Sequence, residues 1–255
     1  MPRYSQVFLA DAGICARIAE GLSGGEFDRV IEIGPGGGAL TTFLFPKYGS
    51  RLTAVEIDPR LVPDLKAKFP GLNVVNADFL AADLAALAGP GRAAFIGNLP
   101  YECATPILEK TLFFGGFSIA VFMFQREVAR KLTAAPGDHD HGYLSLITAA
   151  RASVELLLDV KAGSFKPVPA VDSSVLLFKP RAFFSSPVEE ERFRALARKA
   201  FSHRRKTLIN SLALCGVEKA KAAAAVEKAG LKPTVRAQEL SLPQFATLAE
   251  QLAGA

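Results

Sequence analysis

Cysteine is scarce in this chain. Only three occur, Cys15, Cys103 and Cys215, far apart and with no C-x-x-C pair. That argues against a disulfide framework or a zinc site built on thiolates, and it fits a reducing compartment. No uninterrupted apolar run approaches the roughly 20 residues that span a bilayer, and the opening "MPRYSQVFLADAG" lacks the hydrophobic region of a signal peptide. The expectation is a cytoplasmic protein with no membrane association. Internal repeats and low-complexity tracts are absent as well. Nor is one sign of charge in large excess. Lys and Arg total 30 against 25 Asp and Glu, a net charge of +5. So modest a balance does not identify a polyanion partner; only local clustering can.

What is present is a chain of 255 residues, 50% hydrophobic, enough for one large domain and a small one. Up to about residue 130, short apolar runs alternate with helical patterns. Strands are expected at Arg29–Gly34, Leu52–Asp58, Asn73–Asp78, Ala93–Asn98 and Ile119–Gln125. Helices are expected at Ala39–Pro46 and, just after Pro59, at Arg60–Phe69. Such alternation implies βαβ units and a parallel sheet. Val154–Val160 and Ser174–Phe178 follow too closely for a crossover helix, so they are expected to pair antiparallel at the sheet edge. After "KPRAFFSSP" the texture turns helical and charged, with Phe193, Leu196, Ala197, Ala200 and Phe201 at helix spacing. A boundary is placed near residue 181, dividing the chain into 1–180 and 181–255.

The stretch "EIGPGGGAL" joins the first long strand to a helix. Gly34, Gly36 and Gly38 allow a sharp turn and close approach of a ligand to the backbone. Glu56 ends the next strand about twenty residues on, where a carboxylate can accept from ribose hydroxyls. Both features suit a nicotinamide dinucleotide as well as an adenosyl ligand. Asp78 ends the third strand and is expected on the same crevice, near an adenine. Asn98-Leu99-Pro100-Tyr101 ends the fourth. Proline cannot donate to a sheet ladder and Asn is a poor strand former, and breaks of this kind fall at functional or strained sites. A glycine loop, a ribose acid, an adenine acid and N-L-P-Y, in that order, are what S-adenosylmethionine-dependent methyltransferases show.

N-L-P-Y has a physical role in such chemistry. The exocyclic nitrogen of adenine is a weak nucleophile because its lone pair is delocalised into the ring. Two acceptors, the Asn98 amide oxygen and the Leu99 carbonyl, can hold the amino hydrogens and turn that lone pair toward a methyl carbon. Pro100 stiffens the turn, and Tyr101 offers a face on which an extruded base can stack.

The segments "SQVFL", "EIGPGGGALT", "VEIDPRL", "NADFL", "GNLPY", "FMFQREVARKL", "GYLSLI", "FKPVPAVDSSV", "FSHRRKTLINSL" and "RAQELSLPQF" appear in the order found in the ribosomal RNA adenine N6,N6-dimethyltransferases, and the chain resembles that family over nearly its whole length. The resemblance implies a Rossmann-like class I methyltransferase sheet, mostly parallel with an antiparallel edge hairpin, plus a small all-helical C-terminal domain. It implies S-adenosylmethionine as cofactor, 16S rRNA in the 30S subunit or its precursor as partner, a monomer, and dimethylation of two adjacent adenines near the 3′ end of that RNA. Carried over by position, Gln6, Leu9, Gly34, Gly36, Glu56, Ile57, Asp78, Phe79 and Asn98 would bind the cofactor. Asn98 to Tyr101 would hold the adenine, with Phe165 stacking from the opposite side. At Val7 the family pattern has Asn, so only a backbone contact can survive there.

The run "RKAFSHRRKTLINSL" reads as a basic helix, and Arg204, Arg205 and Lys206 are expected to contact RNA phosphates. "DHDH" at 138–141 has metal-ligand residue types but no further partner, and reads as a solvated loop; no metal is expected. Cys103 reads as packing. Two other readings stand beside the leading one: a large-subunit rRNA adenine methylase of the antibiotic-resistance type, and a ribosome-assembly factor in which binding is primary and methylation secondary.

Overall fold

The computed structural model describes residues 7–253. In chain order the elements are β1 (Phe8–Leu9), α1 (Ala12–Glu20), β2 (Arg29–Ile33), α2 (Thr41–Tyr48), β3 (Leu52–Glu56), α3 (Val62–Lys68), β4 (Asn73–Asn76), α4 (Leu84–Ala88), β5 (Ala93–Asn98), α5 (Ala104–Leu112), β6 (Phe117–Gln125), α6 (Arg126–Thr133), α7 (Tyr143–Arg151), β7 (Ala152–Val160), β8 (Phe165–Lys166), β9 (Ser173–Pro180), α8 (Pro187–Phe201), α9 (Leu208–Leu214), α10 (Lys219–Lys228) and α11 (Leu242–Ala253).

Seven strands form one sheet in the order β4-β3-β2-β5-β6-β9-β7. The pairs β3–β4, β2–β3, β2–β5 and β5–β6 are parallel, and β9 runs antiparallel to β6. Strands β3 and β5, with burial on both faces, are almost continuously apolar, as a parallel sheet covered by helices requires. The chain winds from β2 outward to β4, then returns to β5 on the other side of β2. The strand order therefore reverses between β2 and β5, and a crevice opens at their C-terminal ends. Separately, β1 pairs with β8, Leu9 opposite Phe165.

The chain divides into two compact units, Met1–Ala129 with Ser153–Pro180, and Arg130–Ala152 with Arg181–Ala255. The seam at 180/181 falls where the sequence texture changes, but α7 joins the second unit rather than the first. Its Leu146 and Ala150 are buried with Phe193, Phe201 and Phe245 in that unit's core, and apolar spacing alone does not say which core a helix face will enter. In this core Phe245 lies against Phe201 at 5.5 Å between centroids and edge-on to Phe193 at 6.3 Å. Phe245→Ala should cost about 3–5 kcal/mol, read as an earlier loss of helical circular dichroism in a urea titration.

Two local expectations are corrected. The helix after Pro59 starts later, at Val62. Asp58 takes the intervening residues into a turn: its carboxylate accepts from the Arg60 backbone N–H at 3.0 Å and from the guanidinium, 2.6 Å to Nη2. The basic run is not one helix either. Helix α8 ends at Phe201, residues 202–206 form a turn, and Thr207 caps α9 by accepting from the Asn210 N–H.

Candidate active site

A crevice opens at the C-terminal ends of the strands. It is lined by residues from β1, the glycine loop, the end of β3 and the turn after β5, including Leu9, Gly34, Gly36, Glu56, Ile57 and Asn98 to Tyr101. Of the sequence-expected site residues these come together. Gln6 lies outside the described residues. Asp78, Phe79 and Phe165 are not in the lining. Asp78 is exposed, its carboxylate accepting from the Leu80 N–H at 2.8 Å. Phe79 is buried beneath, edge-on to Phe95.

Phe165 differs most from expectation. Its side chain is 1% exposed and packs in the core around Leu9, its partner in the β1–β8 ladder. Placed so, it presents no open face to a base and instead fixes the strand that carries Leu9.

Gly34 and Gly36 adopt φ of +64° and +57°, a region that costs side-chain-bearing residues energy. A Cβ on Gly36 would come within 2.8 Å of the Phe8 ring, whereas one on Gly34 would meet nothing within 4 Å. The backbone at Gly34 is therefore open to close approach by a ligand. The loop is tied to Glu56: one carboxylate oxygen accepts from the Gly36 N–H at 3.0 Å and the other from the Asp58 N–H at 2.8 Å. Asn76 secures the same strand end by donating to the Glu56 carbonyl at 2.7 Å.

Asn98 is oriented by an unexpected partner. Its Nδ2 donates to the Val7 carbonyl at 3.1 Å, which leaves Oδ1 as the acceptor. The contact at position 7 is thus a main-chain one, available to valine as to any residue. Tyr101 shares a 3.2 Å hydrogen bond with the buried Ser173 hydroxyl of β9, so its ring is held by the antiparallel edge.

Several contributors were not singled out from sequence. Phe8, 37% exposed, borders the crevice. Lys110 on α5 donates to the Leu80 and Ala82 carbonyls at 2.7 and 2.6 Å, clamping the loop that holds Asp78. Glu32, on β2, is fully buried yet lines the crevice. One oxygen accepts from the Thr41 hydroxyl at 2.7 Å, and the other, Oε1, has no partner among the described residues. Burial, helped by nearby Glu56, pushes the Glu32 carboxyl up to about 7 against the bonds from Thr41. Its signal in the sequence was an acid interrupting an apolar strand just ahead of the glycines. With Glu32 and Glu56 and no Lys, Arg or His among the described lining residues, the crevice favours a cationic ligand.

In the second unit, Arg204 is exposed and has a second engagement: its Nη2 donates to the His139 and His141 carbonyls, both at 2.8 Å. The loop at 138–141 is also less solvated than expected. His141 is 3% exposed, with Nδ1 3.0 Å from the Gln238 carbonyl and its ring edge-on to Phe201. Burial holds its imidazole below the ordinary range, and burial likewise raises the Cys103 thiol, making it a poor nucleophile.

The family described as "Ribosomal RNA adenine dimethylase" matches residues 1–254. Ribosomal RNA small subunit methyltransferase A of Geobacter metallireducens is 41% identical over 260 residues, covering 97% of this chain and 93% of that protein. Among solved structures, the 23S rRNA methyltransferase ErmE aligns with a TM-score of 0.69 and 31% identity, over 96% of this chain and 99% of that one. A dimethyladenosine transferase from Plasmodium falciparum aligns with a TM-score of 0.78 and 24% identity, over 94% and 95%, and so speaks to the fold alone. With a match running from the first strand to the last helix, the chain belongs to the ribosomal RNA adenine dimethylase family.

Proposed function

We propose that this protein transfers methyl groups from S-adenosylmethionine to N6 of two adjacent adenines in the hairpin loop near the 3′ end of 16S rRNA, acting in the cytoplasm on the 30S subunit or its precursor. The observation that carries this reading is the Asn98–Tyr101 turn opening on the same crevice as the glycine loop and its acids.

The residues present fit such a donor. Gly34 admits close backbone approach, Glu56 has lone pairs left for ribose hydroxyls, and Ile57, 37% exposed, offers an apolar surface for a purine. Asp78 lies two residues past the end of β4, on a loop that Lys110 holds. When bound, the donor supplies an electrophilic methyl on a positively charged sulfur. The protein's part is positioning. Asn98 Oδ1 and the Leu99 carbonyl accept from the adenine amino group, Pro100 limits the motion of that turn, and Tyr101, anchored to Ser173, provides the stacking face. Asn98 accepts without titrating, so no shifted base is needed at this step.

The 181–255 part of the second unit supplies contacts to the RNA backbone. Arg204, Arg205 and Lys206 are all exposed in that turn, and because Nη2 of Arg204 also holds the 139–141 loop, Arg205 and Lys206 are the pair whose neutralisation isolates the phosphate contacts. Neutralising these two should reduce the slope of log affinity against log salt by about 0.7–0.9 for each phosphate that then goes without a cationic partner. An unchanged slope in a filter-binding titration removes them from the interface.

A large-subunit adenine is the other target this chemistry allows. The 41% identity to a protein named for the small subunit favours the first reading over the 31% identity to a 23S enzyme. Tritiated methyl transfer onto undermethylated 30S particles, with the product mapped by mass spectrometry, tests it. Label confined to 23S rRNA in a mixed-subunit assay overturns the assignment.

A further inference from the structure

Glu32 takes no part in holding adenine, yet it is the buried acid of the crevice with an oxygen left over. Its side chain is fully buried. Thr41 on α2 satisfies Oε2, while Oε1 has no hydrogen-bond partner among the described residues. A buried ionised carboxylate with an unsatisfied oxygen is costly unless a positive charge faces it, and the described residues around it supply none. From β3 the neighbouring group is another acid, Glu56. From α1 it is the Cys15 thiol, which burial holds protonated. The turn after β5 contributes Asn98 and Tyr101, and the described crevice wall contains no cationic side chain.

Building on the methyl-donor reading above, we infer that Glu32 is a proton-linked counter-ion: protonated in the empty crevice on the acid side of neutrality, ionised beneath a bound sulfonium donor, and thereby selective for the charged donor over its spent thioether. The donor carries one more positive charge than the product left after methyl transfer. In a water-poor crevice that charge interacts strongly with a carboxylate, so it lowers the proton affinity of Glu32, and the proton leaves for solvent. After transfer the sulfur is neutral, Glu32 recovers its proton, and the thioether lacks an interaction the donor had. One group then both draws in the donor and favours exchange of the product.

The direction of the pH dependence follows. The empty protein holds this proton up to about pH 7, whereas the donor-bound protein gives it up at lower pH. Donor binding therefore releases up to one proton on the acid side of 7, and donor affinity rises there by up to about tenfold per pH unit before levelling off above 7. Affinity for the thioether should change much less over the same range.

Isothermal titration calorimetry on the full chain at about pH 6.5, just below the Glu32 midpoint, in buffers of differing ionisation enthalpy, counts the released protons directly. S-adenosylmethionine and S-adenosylhomocysteine are the probes. The expected result is a substantial fraction of a proton released with the first and distinctly less with the second. In Glu32→Gln the release should vanish and the two ligands should bind with affinities closer together. Gln keeps an acceptor for Thr41, so the crevice is preserved, and near-native thermal melting verifies this. Equal release with both ligands, or release that persists in Glu32→Gln, overturns the inference. Donor binding without proton release sinks the role of Glu32 while leaving the methyl-donor reading intact, whereas failure of the wild-type protein to bind the donor at any pH sinks that reading.

Discussion

Asn98→Ala should lower methyl transfer by roughly 10²–10³-fold, the range seen when one preorganised polar contact to a reacting group is removed, while leaving RNA affinity nearly unchanged. The effect follows from how the amide is held. Its Nδ2 is spent on the Val7 carbonyl at 3.1 Å, so rotation about the terminal bond is blocked and Oδ1 has one direction in which to accept. Alanine removes acceptor and strap together, but it touches neither the glycine loop nor the basic turn of the second unit. Single-turnover rates with labelled donor, set beside filter binding, separate the two effects. Asn98→Asp sharpens the test. A carboxylate still accepts, but it cannot donate to Val7 and is repelled by that carbonyl, so it too should transfer slowly. Transfer by the Ala variant within about tenfold of wild type, well short of the effect of one such contact, removes Asn98 from the reaction. Rapid transfer by the Asp variant shows that the strap to Val7 is dispensable.

The contrast between what was and was not legible in the sequence follows from the range of the forces involved. The parallel sheet could be read because strands buried on both faces carry long apolar runs and alternate with helical spacing, both local signals. The glycine loop and Glu56 could be read because a tight turn and a strand-end acid leave marks about twenty residues apart. The role of Phe165 could not be read from its surroundings, since a two-residue strand opposite Leu9 pairs with a segment at the far end of the same unit. That Arg204 also ties down the 139–141 loop could not be read, because nothing near it in the sequence marks a second partner for its guanidinium. Only the fold brings the His139 and His141 carbonyls to its guanidinium. His141 looked solvated for the same reason, until Gln238 and Phe201 arrived from the C-terminal part of the chain. The helix expected from Arg60 begins later because a local ion pair, Asp58 with Arg60, outcompeted helix initiation next to Pro59.

Glu56→Gln should weaken donor binding by roughly 10- to 100-fold and lower the melting temperature, although the side chain keeps its size. Both oxygens of Glu56 are occupied by backbone donors, Gly36 N–H and Asp58 N–H, and the residue is 2% exposed. Glutamine offers one oxygen and one NH₂. Whichever way the amide turns, an N–H meets an N–H, and one backbone group is left without an acceptor at a cost of about 1–3 kcal/mol. Either the loop at Gly36 or the turn at Asp58 then lets go, and both border the donor crevice. The same exchange one strand away has the opposite consequence for folding. At Glu32 one oxygen accepts from Thr41 and the other faces no donor among the described residues, so Gln keeps the Thr41 bond and sets no N–H against an N–H. Because burial raises the Glu32 carboxyl to about 7, the folded chain holds a proton that the unfolded chain has already released. That opposes folding increasingly as pH rises from the ordinary carboxylate range to about 7, and by a constant amount above it. Gln removes the penalty, so Glu32→Gln should melt no lower than wild type at about pH 8, where the penalty is complete, while Glu56→Gln melts lower. Differential scanning calorimetry of the two variants, with equilibrium dialysis of labelled donor, reads both effects. If Glu56→Gln binds the donor as tightly as wild type, the two backbone bonds are not what shapes the site.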